Sequence, residues 1–492
     1  MTENRIILSG NHPLLEEIAG GTRDISCGAD EIFIAFRREN RVAPMQTDME
    51  SISAMKSLCR QLNPAPGSRT KVHILLHSPE AMKMMQTWAP DDDLATTTDI
   101  HPFTMESLWA EKLMVSYPGD GNPYLPLDRE PITLDSEKTV HLLIFGRSAM
   151  AMEIARHAAL ICHFPNYTRD HSLRTRITFA DPDVETIRKD FISGNQSLMN
   201  NSFHRSIDLS GKEGCAVTET HFPDYHRTRE DFVDVEWEFV KGDADSPVLR
   251  EKMKAWAVSG RQLLTVVLCG EDDNGNIRTA LHLPEELSDN KIPILVRMHD
   301  DTLFEGMKSR KHVSMKAFGM DRCSYDLSLP TVRIAKMINY TYDVMYPTEI
   351  DHAAAEASWH RLSNAKKWSN IYHAMTFSTK MRSLGHPDND WDTFYSISAN
   401  EAETLAEVEH NRWSVEELIL GFRPTTDKEQ AEIEADISLK RKYRERFIHY
   451  DLRAYDDLRD DANGTDVRIY DRCISAAIPL IAVTFRKEEG YE

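Results

Sequence analysis

Val140-His141-Leu142-Leu143-Ile144-Phe145-Gly146-Arg147-Ser148-Ala149-Met150-Ala151 is an apolar run that stops at a glycine and passes into an amphipathic pattern from Ala149 to about Ile161. A strand covered on both faces reads as such a continuous run, so the stretch predicts buried strand, tight turn and helix. Four more runs follow: Arg176 to Asp181, Trp237 to Val240, Leu263 to Leu268 and Ile292 to Val296. Five strands separated by helical stretches predict an α/β, Rossmann-type, doubly wound parallel sheet over 138–325.

In such folds a pyrophosphate rests on free N–H groups at the first helix N-terminus, and glycines let the backbone approach it. Of G-x-G-x-x-G this chain keeps Gly146, with Ser148 at the second glycine position and Ala151 at the third. Gly146, Arg147 and Ser148 are therefore candidate phosphate contacts. Asp181, ending the second strand, is a candidate partner for an adenosine ribose, although its distance from Gly146 exceeds the usual ~20 residues. The same residues also read as an ordinary strand-to-helix turn and a helix cap.

Outward from this unit, Arg5 to Gly10, Ile32 to Phe36 and Val72 to His77 are further strand candidates, so residues 1–115 are expected to be a degenerate second Rossmann-like copy, with packing or dimerisation as its plainer role. The Pro- and Gly-rich passage from Tyr117 to Pro131 lies in an expected linker, 116–137. Beyond Thr331 helical patterns dominate. Residues 326–394 are expected to be a helical connector, a half-repeat on the echo of Trp359, Leu362, Asn370 and Ala374 by Tyr455, Leu458, Asp471 and Ala477, and 395–492 a helical domain.

The 492 residues carry 58 basic and 79 acidic side chains, a formal charge of −21. Polyanion grooves need clustered Lys and Arg, so nucleic acid is not the expected partner. Seven scattered cysteines without a C-x-x-C pair predict reduced, mostly buried thiols, and the lack of a long apolar run or signal-peptide pattern predicts a cytoplasmic protein.

Two resemblances sharpen these expectations. Glu238 to Leu249, containing Gly242-Asp243-Ala244, then Leu264 to Asn276, containing Asp272-Asp273-Asn274-Gly275-Asn276, and then Ile292-Pro293-Ile294 together resemble the TrkA-N (RCK-type) nucleotide-binding domain over most of 138–300. The resemblance implies that Gly242, Asp243, Asp273 and Asn276 line the nucleotide pocket, and that the chain forms dimers or larger rings. Leu405-Ala406-Glu407-Val408-Glu409-His410-Asn411-Arg412-Trp413, Gly421-Phe422-Arg423, His449 to Leu452, Tyr455 to Leu458, Asp471-Arg472 and Ala477-Ile478-Pro479 resemble the RyR repeat of ryanodine receptors and its bacterial relatives, over about 395–485. Phe422 stands where that family usually has Trp.

His410 can share a helix face with Trp413, and such a face can stack an adenine while Arg423 pairs with a phosphate. The alternative is that Trp413 and Phe422 are core, His410 is a buried hydrogen-bonded histidine and Arg423 meets a local acid. No metal site is expected. What the two resemblances imply is a non-catalytic regulator that senses a nucleotide-derived ligand, of the NAD, ADP-ribose or cyclic-nucleotide class, and changes conformation or assembly. Control of a membrane or effector partner such as an ion channel, or phage defence, are the settings they suggest. The alternative is an NAD-dependent oxidoreductase or a nucleotide-processing enzyme, although no Walker loop, G-x-S-x-G or H-E-x-x-H occurs.

Overall fold

The computed structural model describes residues 6–18, 31–38, 42–61, 69–88, 92–209, 216–226, 229–302, 314–321, 329–386, 391, 396–458, 460 and 464–488. Two sheets, one parallel and one parallel except at its last strand, account for the first two-thirds of the chain.

The first sheet holds β1 (Ile6–Gly10), β2 (Glu31–Ala35), β3 (Thr70–Leu76) and β4 (Thr98–Thr104), all parallel. Their spatial order is β1-β2-β3-β4, so among the described strands there is no reversal of direction across the sheet. β4 escapes a hydropathy reading because Asp99, His101 and Pro102 interrupt it. Pro102 is tolerated because β4 is an edge strand.

The second sheet runs β12-β11-β10-β5-β6-β9-β7-β8. Its members are β5 (Thr139–Phe145), β6 (Thr175–Asp181), β7 (Phe203–Asp208), β8 (Ala216–His221), β9 (Val235–Lys241), β10 (Gln262–Leu268), β11 (Ile294–Arg297) and β12 (Met315–Phe318). From β5 the chain moves one way to β6 and β9, then returns to β10 and proceeds the other way through β11 to β12. That reversal is the doubly wound, Rossmann-like arrangement, with its switch point between β5 and β10. All five expected strands are present. The three unforeseen ones lack apolar periodicity: β7 and β8 are mostly polar, and β12 has four residues.

Residues 116–137 contain no helix or strand, yet Tyr117, Tyr124, Leu127 and Ile132 are buried in the main core. Asp128 in this segment takes two hydrogen bonds from Arg382, at 2.7 and 2.9 Å.

The C-terminal region is helical: Pro330–Val344, His352–Arg361, Asn364–Met375, Phe377–Ser383, Ala399–Ile419, Asp427–Ala435, Leu439–Arg444, Ile469–Ala476 and Ile478–Glu488. Among the described residues it departs from an all-α description at a bridge of two-residue parallel strands, Arg423–Pro424 with Ile448–His449. Asp427–Ala435 is separated from Leu439–Arg444 where Asp436 Oδ1 accepts the Ser438 N–H, and Asn364–Met375 from Phe377–Ser383 at Thr376, whose hydroxyl donates to His373 O. Among the described residues no helix is long and apolar enough to cross a membrane. One core cluster extends from Leu14 through both sheets to Phe485.

Candidate functional site

The switch point places Gly146, Arg147 and Ser148 together, at the end of β5. Gly146 has φ +90°, and a Cβ there would stand 2.6 Å from Gly270 N and 2.8 Å from its Cα, so the turn lies directly on the loop after β10. Ser148 Oγ accepts the Ala151 N–H at 3.0 Å and donates to Cys269 O at 2.6 Å, capping the helix Ala149–Ile161. Arg147 extends outward to Asp190, 3.0 Å away. Burial pushes the Cys269 thiol up to about 12, so it is no ready nucleophile.

Around the same edge, Asp181 Oδ1 accepts the Asp183 N–H at 2.7 Å, Gly242 N donates to Asp181 O, and Asp243 Oδ1 accepts the Asp245 N–H. Asn276 is buried and serves as a rivet: its Oδ1 accepts from Gly270 N and its Nδ2 donates to Gly270 O and Arg297 O, all within 3.0 Å. Asp273 binds the backbone and ring of His299 at 2.9 and 2.8 Å. The eight residues therefore line the C-terminal ends of the strands of one sheet, and the six that are not glycine have their side chains occupied by local bonds.

In the C-terminal region the long helix Ala399–Ile419 orders the second group. His410 is buried, its Nε2 2.8 Å from Arg453 O, and burial holds the imidazole below its ordinary pKa. Trp413 is half-buried against His410 and edge-on to His449, ring centroids 5.6 and 4.9 Å apart. Phe422 packs on Phe447 and His449. Arg423 forms a bidentate pair with Glu429, at 2.8 and 2.7 Å. Glu409, beside His410, points into a buried cluster with Lys380, Arg412 and His373. Burial raises its pKa, but those neighbours outweigh this and keep it ionised.

A cleft that the sequence did not announce lies apart from the first group and touches the second only at Arg423. A space of about 730 Å³ lies between the Rossmann-like unit, through Ser193 to Ser197, Asn200, Asn201, Asp224, Tyr225 and Arg229, and the helical region, through Gly421, Arg423 to Asp427, Arg446 and Phe447. Among the described residues Lys83, Arg229, Arg423 and Arg446 line it with Asp224 and Asp427; Arg423 is already paired with Glu429 and Arg229 approaches Asp427, so Lys83 and Arg446 supply a modest local excess of positive charge in a chain of net −21. Arg229 is 10% exposed, its Nη2 is 3.3 Å from Asp427, and its buried Nη1 has no hydrogen-bond partner among the described residues. Ser197 Oγ donates to Phe422 O, tying the two walls together. Of the residues singled out from sequence, only Arg423 faces this space. Lys83, Arg229 and Arg446 lie in three distant stretches with no shared motif, so tertiary structure alone assembles them.

Comparison with family models, curated proteins and solved structures returns no match.

Proposed function

We propose that this chain is a ligand-sensing regulatory protein, cytoplasmic and non-catalytic. Its ligand is nucleotide-derived and phosphate-bearing, of the NAD, ADP-ribose or cyclic-nucleotide class. The observation that carries the reading is the basic cleft, where a buried guanidinium N–H without a partner among the described residues stands between a Rossmann-like sheet and a helical region. An anion there satisfies that donor and gains from two or three further cations. Because it touches both walls, its affinity depends on their relative position, which is the thermodynamic requirement for sensing. The resemblances to TrkA-N and RyR domains support the same reading, with a homo-oligomer and a membrane or effector partner as the means of output.

The test is a thermal-shift series on the full chain with NAD, ADP-ribose, ATP, AMP and cyclic nucleotides. One of them is expected to raise Tm by several degrees at about 100 times its Kd, equivalent to about 2.7 kcal/mol. Arg446→Ala, at an exposed position, is expected to reduce the shift at equal ligand concentration. A shift that Arg446→Ala and Arg423→Ala both leave intact would remove the cleft as the site, and no shift with any compound would remove the reading.

A further inference from the structure

A second cavity, of about 540 Å³, lies between β4, the segment from Val115 to Pro123 and the helices Pro330–Val344, His352–Arg361 and Asn364–Met375. Its walls are largely aromatic and aliphatic, with Phe103, Tyr117, Trp359, Trp368 and Tyr372 among them. Basic side chains in its lining have acidic neighbours. Lys367 Nζ is 2.6 Å and His101 Nε2 3.3 Å from Asp99, and Arg156 is paired with Glu153. Two of the lining residues hold unpaired polar atoms: Trp359 Nε1 and His157 Nε2 are buried without a hydrogen-bond partner among the described residues. The other ring nitrogen of His157 lies 3.7 Å from Glu153.

We propose that this cavity binds a neutral purine nucleoside, at a site separate from the basic cleft. Flat aromatic walls favour a planar ring. The indole N–H of Trp359 requires an acceptor, which a purine ring nitrogen supplies, and imidazole Nε2 takes a donor or an acceptor according to tautomer. The volume falls in the ordinary range of about 300–1,000 Å³ for small-molecule sites. Charges already compensated by near neighbours give a phosphate little return for its desolvation, so the bare nucleoside is preferred to the nucleotide here. The cleft has the opposite preference, which separates this inference from the proposed function.

The experiment is calorimetric titration of the full chain with adenosine and with AMP. Adenosine is expected to bind saturably at one site, AMP at least tenfold more weakly at that site, and Trp359→Phe to weaken adenosine at least fivefold while adenosine binding survives Arg446→Ala. AMP heat that vanishes in Arg446→Ala belongs to the cleft and is subtracted before the ratio is taken. Absence of adenosine binding up to millimolar concentration, equal binding of AMP at the cavity, or affinity unchanged by Trp359→Phe would overturn the proposal. So would loss of adenosine binding in Arg446→Ala. Should Trp359→Phe fail to fold, His157→Gln is expected to weaken adenosine to the same degree, and unchanged affinity in that variant would overturn the proposal equally.

Discussion

At the residue scale the turn after β5 shows why one glycine of the Rossmann pattern is kept. Gly146→Ala would combine a positive φ with contact against Gly270 backbone, and a loss of about 2–4 kcal/mol is expected in urea unfolding. Glu417 supplies a different test. Its side chain is buried, Oε2 has no hydrogen-bond partner among the described residues, and burial, reinforced by Glu416, pushes the carboxyl up to about 7 from 4.5. The folded state thus holds a proton that the unfolded chain releases, so this stabilising contribution is present below pH 4.5 and lost as pH rises to about 7. Melting temperature should fall from pH 5 to pH 8, and Glu417→Gln should flatten that fall by an amount on the order of 3 kcal/mol. Residues such as Gly146 and Ser148 are legible in sequence because local geometry fixes them. Arg229 and Arg446 are not, because their meaning depends on chain segments hundreds of residues apart.

At the scale of elements, the buried cluster around Glu409 joins the helix Ala399–Ile419 to the helices Asn364–Met375 and Phe377–Ser383. Arg412 Nε is 2.9 Å from Glu409 and Nη1 2.8 Å from Glu416, while Lys380 and His373 approach Glu409 from the other helices. Glu409→Ala would leave two buried cations short of a counter-charge, and a cost of about 3–5 kcal/mol is expected by chemical denaturation. Ser398→Ala, which removes the capping box at the start of the same helix, should cost about 1 kcal/mol. Apolar strands such as β5 and β10 can be read directly from hydropathy. The β7–β8 hairpin cannot, because both strands are mostly polar and show no apolar period.

For the whole molecule, the continuous core predicts joint rather than stepwise melting. Leu14, Ile132, Leu142, Trp237, Trp359 and Phe485 belong to one buried cluster, and Asp128 is locked to Arg382 across 254 positions of sequence. Scanning calorimetry is expected to show one transition; two well-separated ones would mean that the regions unfold independently. The larger sheet also has a finishing piece. β8 is turned antiparallel to its neighbour, is almost wholly exposed and carries Ala216-Val217-Thr218-Glu219-Thr220-His221, with Glu219 held by Arg188. A free margin of this kind is where chains recruit one another into fibres, and a short, mostly polar selvedge on a chain of net −21 disfavours pairing with its own copy. The protein can carry an eight-stranded sheet without that sheet becoming a template for the next molecule.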